Sequence, residues 1–402
     1  MAPPDLAALV ARGKLLLLRG ALSTLPAREH AVVAGFPDDE GNSVETVRAL
    51  ARRIPVAWLV NDPPESLEWL LSGAEGRDRI RVVPKDSRAG YLAYVTARYV
   101  FFTHGLYGSP PAPRSRTFVN LWHGDGPKMS KRFADIRSTY VVAGTRLWGE
   151  TRPLYFGVDD GGVLVTGNPR IDQFTRPVRG DQMRALGLDP AQPFVLWMPT
   201  YRRTEYRGRR LARVRNWADA ADLSESERVR RLTAEVAQAG RRLGVTVAVK
   251  PHPLDADGYG GTGLPVIDNA DLQRAQVTHY QLMGRSSGLI TDYSSVWTDY
   301  LALDRPIGFY CPDLEEYEAE RGLNVEGYRD LIPGPLLDSP ADFEAFLGDC
   351  LDESAQSRAR RARSTTRVGA ETRFGAGDRL LDAVGVPRRT DRRRPEVEAV
   401  AR

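Results

Sequence analysis

His123 has the sequence surroundings that best suit proton transfer. In the stretch NLWHGDGPKMSKRF it follows an apolar run and precedes Gly124 and Gly126, which let a ligand approach the backbone closely. Lys128 adds positive charge to the same loop, in a chain that has five lysines among its 56 basic residues. A histidine in this setting is typical of a general base that faces an anionic substrate. The alternative is a structural histidine beside a solvated charged loop.

A second histidine, His252, lies between Pro251 and Pro253 in the segment VAVKPHPL, and Lys250 precedes it. Two prolines fix the backbone on either side and present the imidazole rigidly. Such a group could stabilise negative charge on a leaving phosphate. A turn that ends a strand explains the prolines equally well, so the residues alone leave both interpretations open.

The segment GLITDYSSVWTDYLALDRP has the composition of an anion site. An apolar strand is followed by Thr291, Asp292, Tyr293, Ser294 and Ser295. A helix is then predicted over residues 296–303. Hydroxyls and free amides at a helix start bind anions, aided by the helix dipole. Ordinary N-capping is the alternative, but it needs only one such residue and here four of five are Thr, Asp or Ser. The pattern favours a phosphate site.

Another cluster of phosphate ligands is predicted in WMPTYRRTEYRGRR, where Thr200 and Arg202 follow a buried strand. Guanidinium groups match phosphate oxygens well, although the arginines could also form a flexible charged loop.

The sequence has no P-loop, no GxGxxG after a first strand, no HExxH and no GxSxG. The sequence therefore lacks the motifs that would indicate a dehydrogenase, a P-loop NTPase, a zinc protease or an α/β-hydrolase.

The elements that must position these residues alternate between short β-rich runs and helical patterns. Runs rich in Val and Phe suit strands that are buried on both faces of a parallel sheet. The predicted strands cover residues 31–36, 54–60, 79–84, 99–104, 117–123, 139–144 and 162–169, and then 193–200, 245–253, 264–269, 287–292 and 305–311. We predict two doubly wound α/β domains, at residues 1–175 and 176–386, that face each other across a cleft.

Several predicted strands end in polar residues or glycine, and these strand ends indicate where the active site lies. Ligands of doubly wound sheets bind beyond the carboxyl ends of the strands. The residues found there include His104, His123, Asn168, His252 and Asp292. We therefore place the active site in the cleft between the domains.

The overall composition is that of a globular chain: 402 residues, 42% hydrophobic and 27% charged. Its apolar runs are too short for a bilayer span, and its first residues lack the order of a secretory signal. Two cysteines allow neither a disulfide framework nor a cysteine-built zinc site, so a reducing cytoplasm fits best. No metal-ligand cluster is visible in the sequence.

Both ends of the chain have features that could meet an anionic membrane surface. Residues 387–402 form a basic tail, predicted to be disordered, that holds much of the net charge of +4. Residues 6–25 could form an amphipathic helix on the same surface, or simply pack on their own domain. Nucleic acid is a poor partner, because 52 acidic residues balance the basic ones and no aromatic–basic stacking platform is evident.

The motifs together resemble a known family. They are LWHGDGPK, VTGNPRIDQF, LWMPTYR, KPHP, ITDYSSVWTDYLALDRPIGFY, DLEEYEAERGLN and LIPGP, in this order over residues 120–335. In this combination the chain is similar to the CDP-glycerol glycerophosphotransferases, the teichoic acid polymerases and primases. The resemblance implies a GT-B fold and transfer of a polyol phosphate from CDP-glycerol, or a related CDP-alditol, to a hydroxyl of a lipid-linked or polymeric acceptor. CMP is released, and the CDP-polyol is a substrate, so no cofactor is expected.

The resemblance also implies roles for the residues described above. The two functional histidines correspond to His123 and His252. We expect donor and phosphate binding by Thr200, Arg202, Lys250, Asp292, Tyr293, Ser294, Ser295 and Asp299. On the acceptor side of the cleft we expect Gly124, Lys128, Gly167, Arg170 and Arg321. The family's loop is close to HGTPLK, whereas this loop has one more residue and an acid, Asp125, which we expect to change the acceptor.

Two other functions remain open from the sequence. A GT-B glycosyltransferase that uses a nucleotide sugar would need the same fold and the same helix-start phosphate site. A non-catalytic protein that binds a lipid-linked anionic polymer would use the basic tail and the arginines. The sequence also allows either addition of a single unit or synthesis of a capsule-like polymer.

Overall fold

A seven-stranded parallel sheet organises the first half of the chain. The structure, a computed structural model, describes residues 6–128, 133, 135–199, 205–206, 209–210, 223–251, 263–370 and 373–389. The strands are β1 (Arg28–Ala34), β2 (Val56–Val60), β3 (Ile80–Pro84), β4 (Ala97–Phe102), β5 (Thr117–Asn120), β6 (Tyr140–Ala143) and β7 (Val163–Val165), in the order β3-β2-β1-β4-β5-β6-β7. The apolar side chains of the central strands are buried on both faces, as expected for a sheet covered by helices, whereas Val165 in the edge strand β7 is exposed.

The sheet is doubly wound about its central strands. β1 pairs with both β2 and β4, so the strand order reverses there and a crevice opens at the carboxyl ends of β1 and β4. Helices cover both faces: α1 (Leu6–Thr24), α2 (Gly41–Ala51), α3 (Arg88–Thr96) and α4 (Arg146–Phe156). One apolar cluster forms beneath α2 and a second beneath α1 and α3.

The second half is built on a smaller parallel sheet. The strands of this half are β8 (Phe194–Trp197), β9 (Glu205–Tyr206), β10 (Arg209–Arg210), β11 (Thr246–Val249), β12 (Gly288–Thr291) and β13 (Ile307–Phe309). β9 and β10 form a separate hairpin, and the other four strands have the order β11-β8-β12-β13. The helices are α5 (Gly180–Ala185), α6 (Leu223–Leu243), α7 (Asn269–Ala275), α8 (His279–Arg285), α9 (Val296–Tyr300), α10 (Leu314–Arg321), α11 (Tyr328–Leu331), α12 (Pro340–Leu351), α13 (Ala355–Val368) and α14 (Ala376–Val384).

Two predicted strands differ from the structure for local reasons. The strand predicted over 117–123 ends at Asn120, because Asn120 Oδ1 accepts the Trp122 N–H over 2.9 Å and Trp122 turns to a φ of 52°. The strand predicted over 264–269 is reduced to one bridge between Val266 and Val249. Pro265, which has no N–H to donate, lies within that segment.

Helix α14 returns from the second half of the chain to pack on the first. Arg53 forms ion pairs with Asp378 and Asp382, and the carboxylate of Asp172 accepts the N–H groups of residues 375–377. The predicted division at residues 175 and 176 falls between the two sheets, although α14 lies with the first sheet. Of the predicted tail, residues 390–402 lie outside the described residues.

Candidate active site

A cleft of about 1070 Å³ lies at the carboxyl ends of the strands, with walls from both halves of the chain. The predicted site residues that line it are His123, Gly124, Lys128, Arg170, Lys250, Ser294 and Ser295. The predicted residues Gly167, Asp292, Tyr293 and Asp299 do not line it. Thr200, Arg202 and His252 lie outside the described residues, as does the side chain of Arg321 in α10.

The loop after β5 holds His123 by its backbone. The carbonyl oxygen of Trp122 accepts a hydrogen bond from Asn42 Nδ2 over 3.1 Å, and that of His123 accepts one from Arg170 Nη1 over 2.5 Å. Two consecutive carbonyls are thus fixed by side chains from different elements. The imidazole of His123 is exposed on its cleft side.

A second imidazole, that of His104, stacks on His123. The ring centroids lie 4.3 Å apart with only 9° between the planes. His104 Nδ1 lies 2.9 Å from the hydroxyl of Thr103, at the carboxyl end of β4. The sequence places His104 at a strand end but assigns it no role. The dipeptide His104-Gly105, which repeats the His123-Gly124 pattern, is the signal that could have identified it.

The electrostatics of the cleft keep His123 uncharged. Its pKa is lowered to about 3, chiefly because the cleft walls remove water from the ring, and further because His104, Arg170 and Arg152 disfavour an added proton. Loss of solvation also lowers the pKa of His104. At neutral pH His123 therefore has the unprotonated ring that a general base needs.

The two glycines after His123 allow the halves of the molecule to touch. A Cβ on Gly124 would lie 2.8 Å from Ser295 Oγ, and one on Gly126 would lie 2.8 Å from Ser295 Cβ. Both distances are shorter than van der Waals contact. The glycines were expected to let a ligand approach the backbone closely. In the structure, part of that space is occupied by Ser295, which directly precedes α9.

Asp125 does not face the cleft. Its carboxylate is buried in an ion pair with Arg152 and also accepts hydrogen bonds from the Gly144 N–H and, over 3.2 Å, from Asn168 Nδ2. Its carbonyl oxygen accepts the hydroxyl of Thr298 over 2.8 Å. Asp125 therefore supports the loop from behind and does not line the cleft, and the expected effect of this loop on the acceptor stays a prediction.

Arg170 and Asp299 form a buried link between the two halves. Arg170 Nε and Nη2 lie 2.9 and 2.6 Å from Asp299 Oδ2, and Asp299 also accepts Asn168 Nδ2 over 2.8 Å and the Tyr280 hydroxyl over 2.5 Å. Burial disfavours the charge on Arg170, but Asp299, Tyr280 and Glu40 outweigh it and raise the pKa. The geometry favours a positioning role for Asp299 over the phosphate contact that the sequence predicted.

The ITDYSS segment is divided between the cleft and the core. Tyr293 is fully buried, stacks on Tyr317 at 3.9 Å and donates a hydrogen bond to Asp313. Asp292 is also buried. Ser294 and Ser295 alone of the five residues line the cleft, directly before α9. The predicted helix over 296–303 is a five-residue α-helix continued by a 3₁₀ turn.

On the opposite wall, Lys250 faces the cleft from the end of β11, and His279 faces it from the start of α8. Lys250 Nζ donates to Asn269 Oδ1 over 2.6 Å, and desolvation lowers its pKa to about 8. Desolvation also lowers the pKa of His279 to about 3, with Lys250 and Arg170 acting in the same direction. His279 was not among the predicted site residues. The capping box of Thr278 and Gln281 marks it as the first residue of a helix but says nothing about a ligand.

Two further predicted residues, Gly167 and Lys128, make contacts within the protein. Gly167 has a φ of 82° and packs against α14, where a Cβ would lie 3.3 Å from that of Ala376. The backbone of Lys128 is held by Asn324, whose Nδ2 donates to the Lys128 carbonyl over 2.7 Å. Asn324 also accepts the Tyr155 hydroxyl over 2.5 Å. Lys128, Tyr155 and Asn324 all line the cleft, whereas Gly167 does not.

Within the part of the chain that the structure describes, no group of three or more His, Cys, Asp or Glu side chains could hold a metal ion. In the same ranges, no helix has the length and apolarity needed to cross a bilayer. Transfer without a metal or cofactor stays a prediction.

Two facing doubly wound sheets with a cleft at their carboxyl ends define a GT-B-like fold, as the resemblance implied. A variant of the wall teichoic acid polymerase TagF matches with a TM-score of 0.65 and 17% identity, over 94% of this chain and 95% of that one. A putative UDP-N-acetylglucosamine 2-epimerase from Listeria monocytogenes matches with a TM-score of 0.52 and 13% identity, over 89% and 96% of the two chains. At such identities the likeness shows the fold alone.

Sequence comparison identifies the family. The profile of the CDP-Glycerol:Poly(glycerophosphate) glycerophosphotransferases matches residues 35–384, and the chain belongs to this family. It is 26% identical over 270 residues to the teichoic acid glycerol-phosphate primase of Bacillus subtilis, and the aligned region covers 61% of this chain and 64% of that protein. It is 53% identical over 57 residues, 14% of each protein, to the teichoic acid ribitol-phosphate primase of Bacillus spizizenii. The chain thus spans less than two thirds of the length of either curated relative.

Proposed function

We propose that this chain transfers glycerol phosphate, or the phosphate of a related alditol, from a CDP-linked donor to a hydroxyl of an acceptor, in the synthesis of teichoic acid or a capsule-like polymer. The observation that carries the proposal is the cleft itself, which brings the imidazole of His123 together with Lys250, Ser294 and Ser295. Membership of the glycerophosphotransferase family supports it.

In the proposed reaction, the acceptor oxygen attacks the phosphorus that bears the alditol. A new P–O bond forms, the bond from that phosphorus to the bridging oxygen breaks, and CMP leaves with the electron pair. His123 takes the proton of the attacking hydroxyl. A diphosphate beside the ring favours the protonated imidazole and raises its pKa from the low value of the free protein, so the base strengthens as the donor binds.

The opposite wall would hold the donor. Lys250 supplies a positive charge, and an uncharged His279 donates a hydrogen bond. Ser294 and Ser295 offer hydroxyls at the start of α9. Preorganised donors of this kind stabilise charge as it moves onto the leaving group. The predicted donor ligands outside the described residues, Thr200, Arg202 and His252, remain part of the proposal.

The acceptor is proposed to be lipid-linked or polymeric, and the chain to work in the cytoplasm at the inner face of the membrane. The outer face of α1 carries Leu16 and Leu17, which are 66% and 77% exposed, with Arg19 beside them. Exposed leucines next to cations suit an anionic interface. Replacing both leucines by Gln should lower co-sedimentation with phosphatidylglycerol vesicles, whereas Leu351→Gln, at an exposed leucine of α12, should not. Equal binding by all three proteins contradicts this part of the proposal.

The test of the reaction is CMP release from CDP-glycerol, CDP-ribitol and other CDP-alditols, with a lipid-linked glycerol phosphate acceptor. Turnover of one CDP-alditol that is lost in His123→Ala is the expected result. Turnover of a UDP- or GDP-sugar instead, with none of the CDP-alditols, would assign the chain to the glycosyltransferases. If no donor is turned over, calorimetric binding of CDP decides whether the cleft is a donor site.

A further inference from the structure

The proposed reaction uses His123 but leaves its stacked neighbour without a task. His104 lies between His123 and Phe36, whose ring meets it edge-on at 5.7 Å, and one side of the imidazole remains open to the cleft. The plane of His104 is therefore set by aromatic contacts on two sides. A ring held in this way can set the plane of the ring stacked on it.

The hydroxyl of Thr103 determines which nitrogen of His104 carries a proton. Thr103 is fully buried, and its Oγ1 accepts the Phe36 N–H over 3.1 Å. Its own proton needs an acceptor, and His104 Nδ1 lies 2.9 Å away. A hydroxyl that donates to Nδ1 requires this nitrogen to be unprotonated and therefore the ring proton to lie on Nε2. A second proton on the ring would have to displace the hydroxyl proton of Thr103, so the contact favours an uncharged His104.

We infer that His104 is a positioning residue for the proposed transfer: Thr103 keeps its imidazole uncharged, and the stacked ring holds His123 in one orientation and unprotonated until it meets the acceptor hydroxyl. The inference rests on the proposed function only for the task given to His123. The uncharged ring stacked on His123 keeps water from one face of that imidazole, and loss of solvation disfavours an added proton on His123.

Two charged groups also disfavour a proton on His123, so the stacked ring of His104 accounts for only part of the lowered pKa. Arg170 approaches from the turn at residues 169–175 and Arg152 from α4, and both disfavour a proton on His123. Removing His104 leaves these two guanidinium groups in place. The pKa of His123 should therefore rise only part of the way towards that of a solvated histidine.

The experiment compares His104→Gln with His30→Gln in the full chain. His30 lies at the other end of the sheet, near the start of β1, where its Nε2 meets the Ala93 carbonyl over 3.1 Å. His104→Gln should lower kcat about tenfold. It should also move the acid limb of kcat/KM up by about one pH unit, with the donor KM little changed. His104→Phe, which restores a stacked ring, should return the acid limb to that of the wild type, and His30→Gln should leave both quantities unchanged.

Nitrogen-detected NMR titration of the five histidines provides a readout that does not depend on activity. The expected results are a proton on Nε2 of His104 and a higher pKa for His123 in His104→Gln. A proton on Nδ1 of His104, or the same His123 titration in both proteins, overturns the inference. So does a lower kcat with an unmoved acid limb. If His123→Ala retains full transfer, the proposed function fails, whereas the titration still decides whether the stack controls protonation.

Discussion

Two histidines face the cleft from opposite walls, and both have pKa values lowered to about 3. His123 stacks on another uncharged imidazole and is tied through its carbonyl. His279 lies instead beside the ammonium group of Lys250, at the N-terminus of a helix, where a positive charge is unfavourable. The same low pKa can therefore serve two tasks. The first ring can accept a proton once an anion arrives, while the second stays a hydrogen-bond donor.

The strongest test of this comparison is a pair of variants, His123→Ala and His279→Gln. The first should lower kcat by about 10²–10⁴-fold and leave the donor Kd nearly unchanged, because it removes only the base. The second should weaken donor binding about tenfold and spare kcat, because it removes a hydrogen bond to a charged group. CMP release and calorimetry with CDP-glycerol measure the two quantities. A tenfold loss of donor affinity in His123→Ala would contradict the assignment of that residue as the base.

The next largest effect is expected at the link between the walls. Asp299→Ala removes the closest carboxylate of the buried Arg170 and leaves the longer contact with Glu40, at 3.9 Å, which should cost about 3–5 kcal/mol of unfolding free energy. Glu344→Ala, which breaks the exposed pair with Arg242, should cost about 1 kcal/mol or less. Urea unfolding monitored by circular dichroism compares them. Equal losses would mean that Arg170 finds water or another partner, and that the walls are not joined through this pair.

A smaller effect is expected from Lys250, whose charge should make donor affinity depend on pH. Its pKa of about 8 means that it is largely protonated at neutral pH and loses its charge as the pH rises through that value. Donor affinity should therefore fall with rising pH above about 8, by at most about tenfold per unit. Lys250→Gln should bind the donor more weakly at neutral pH and show a flat profile over the same range. An unchanged slope in this variant would assign the titration to another group.

The smallest effect is expected from Ser294→Ala and Ser295→Ala. Each removes one hydroxyl from the cleft wall, so donor affinity should weaken about three- to tenfold with kcat little changed. Ser295→Ala also tests the contact with Gly124, and its effect should be the larger of the two. A drop in kcat without a change in donor Kd would place these serines on the acceptor side instead.

Much of the cleft could be predicted because strand ends and glycines leave clear signals. His123, Ser294 and Ser295 follow apolar runs, and parallel strands bring such positions to one edge. Asp292 and Tyr293 share the motif, but local order along the chain does not show which side chains turn into the core. The buried position of Asp125 could not be predicted because its partner, Arg152, lies 27 residues away in α4, and such long-range pairing leaves no pattern in the sequence.

The return of α14 to the first sheet affects how the protein is made. Leu380, Leu381 and Val386 belong to the same apolar cluster as β1, β2 and α2. Residues 28–165 leave the ribosome long before residues 376–386, so the first sheet emerges with part of its apolar surface uncovered. It can complete its core only after the second half of the chain has been synthesised. Co-translational folding should therefore favour the second half, and a fragment truncated after residue 175 should be prone to aggregation.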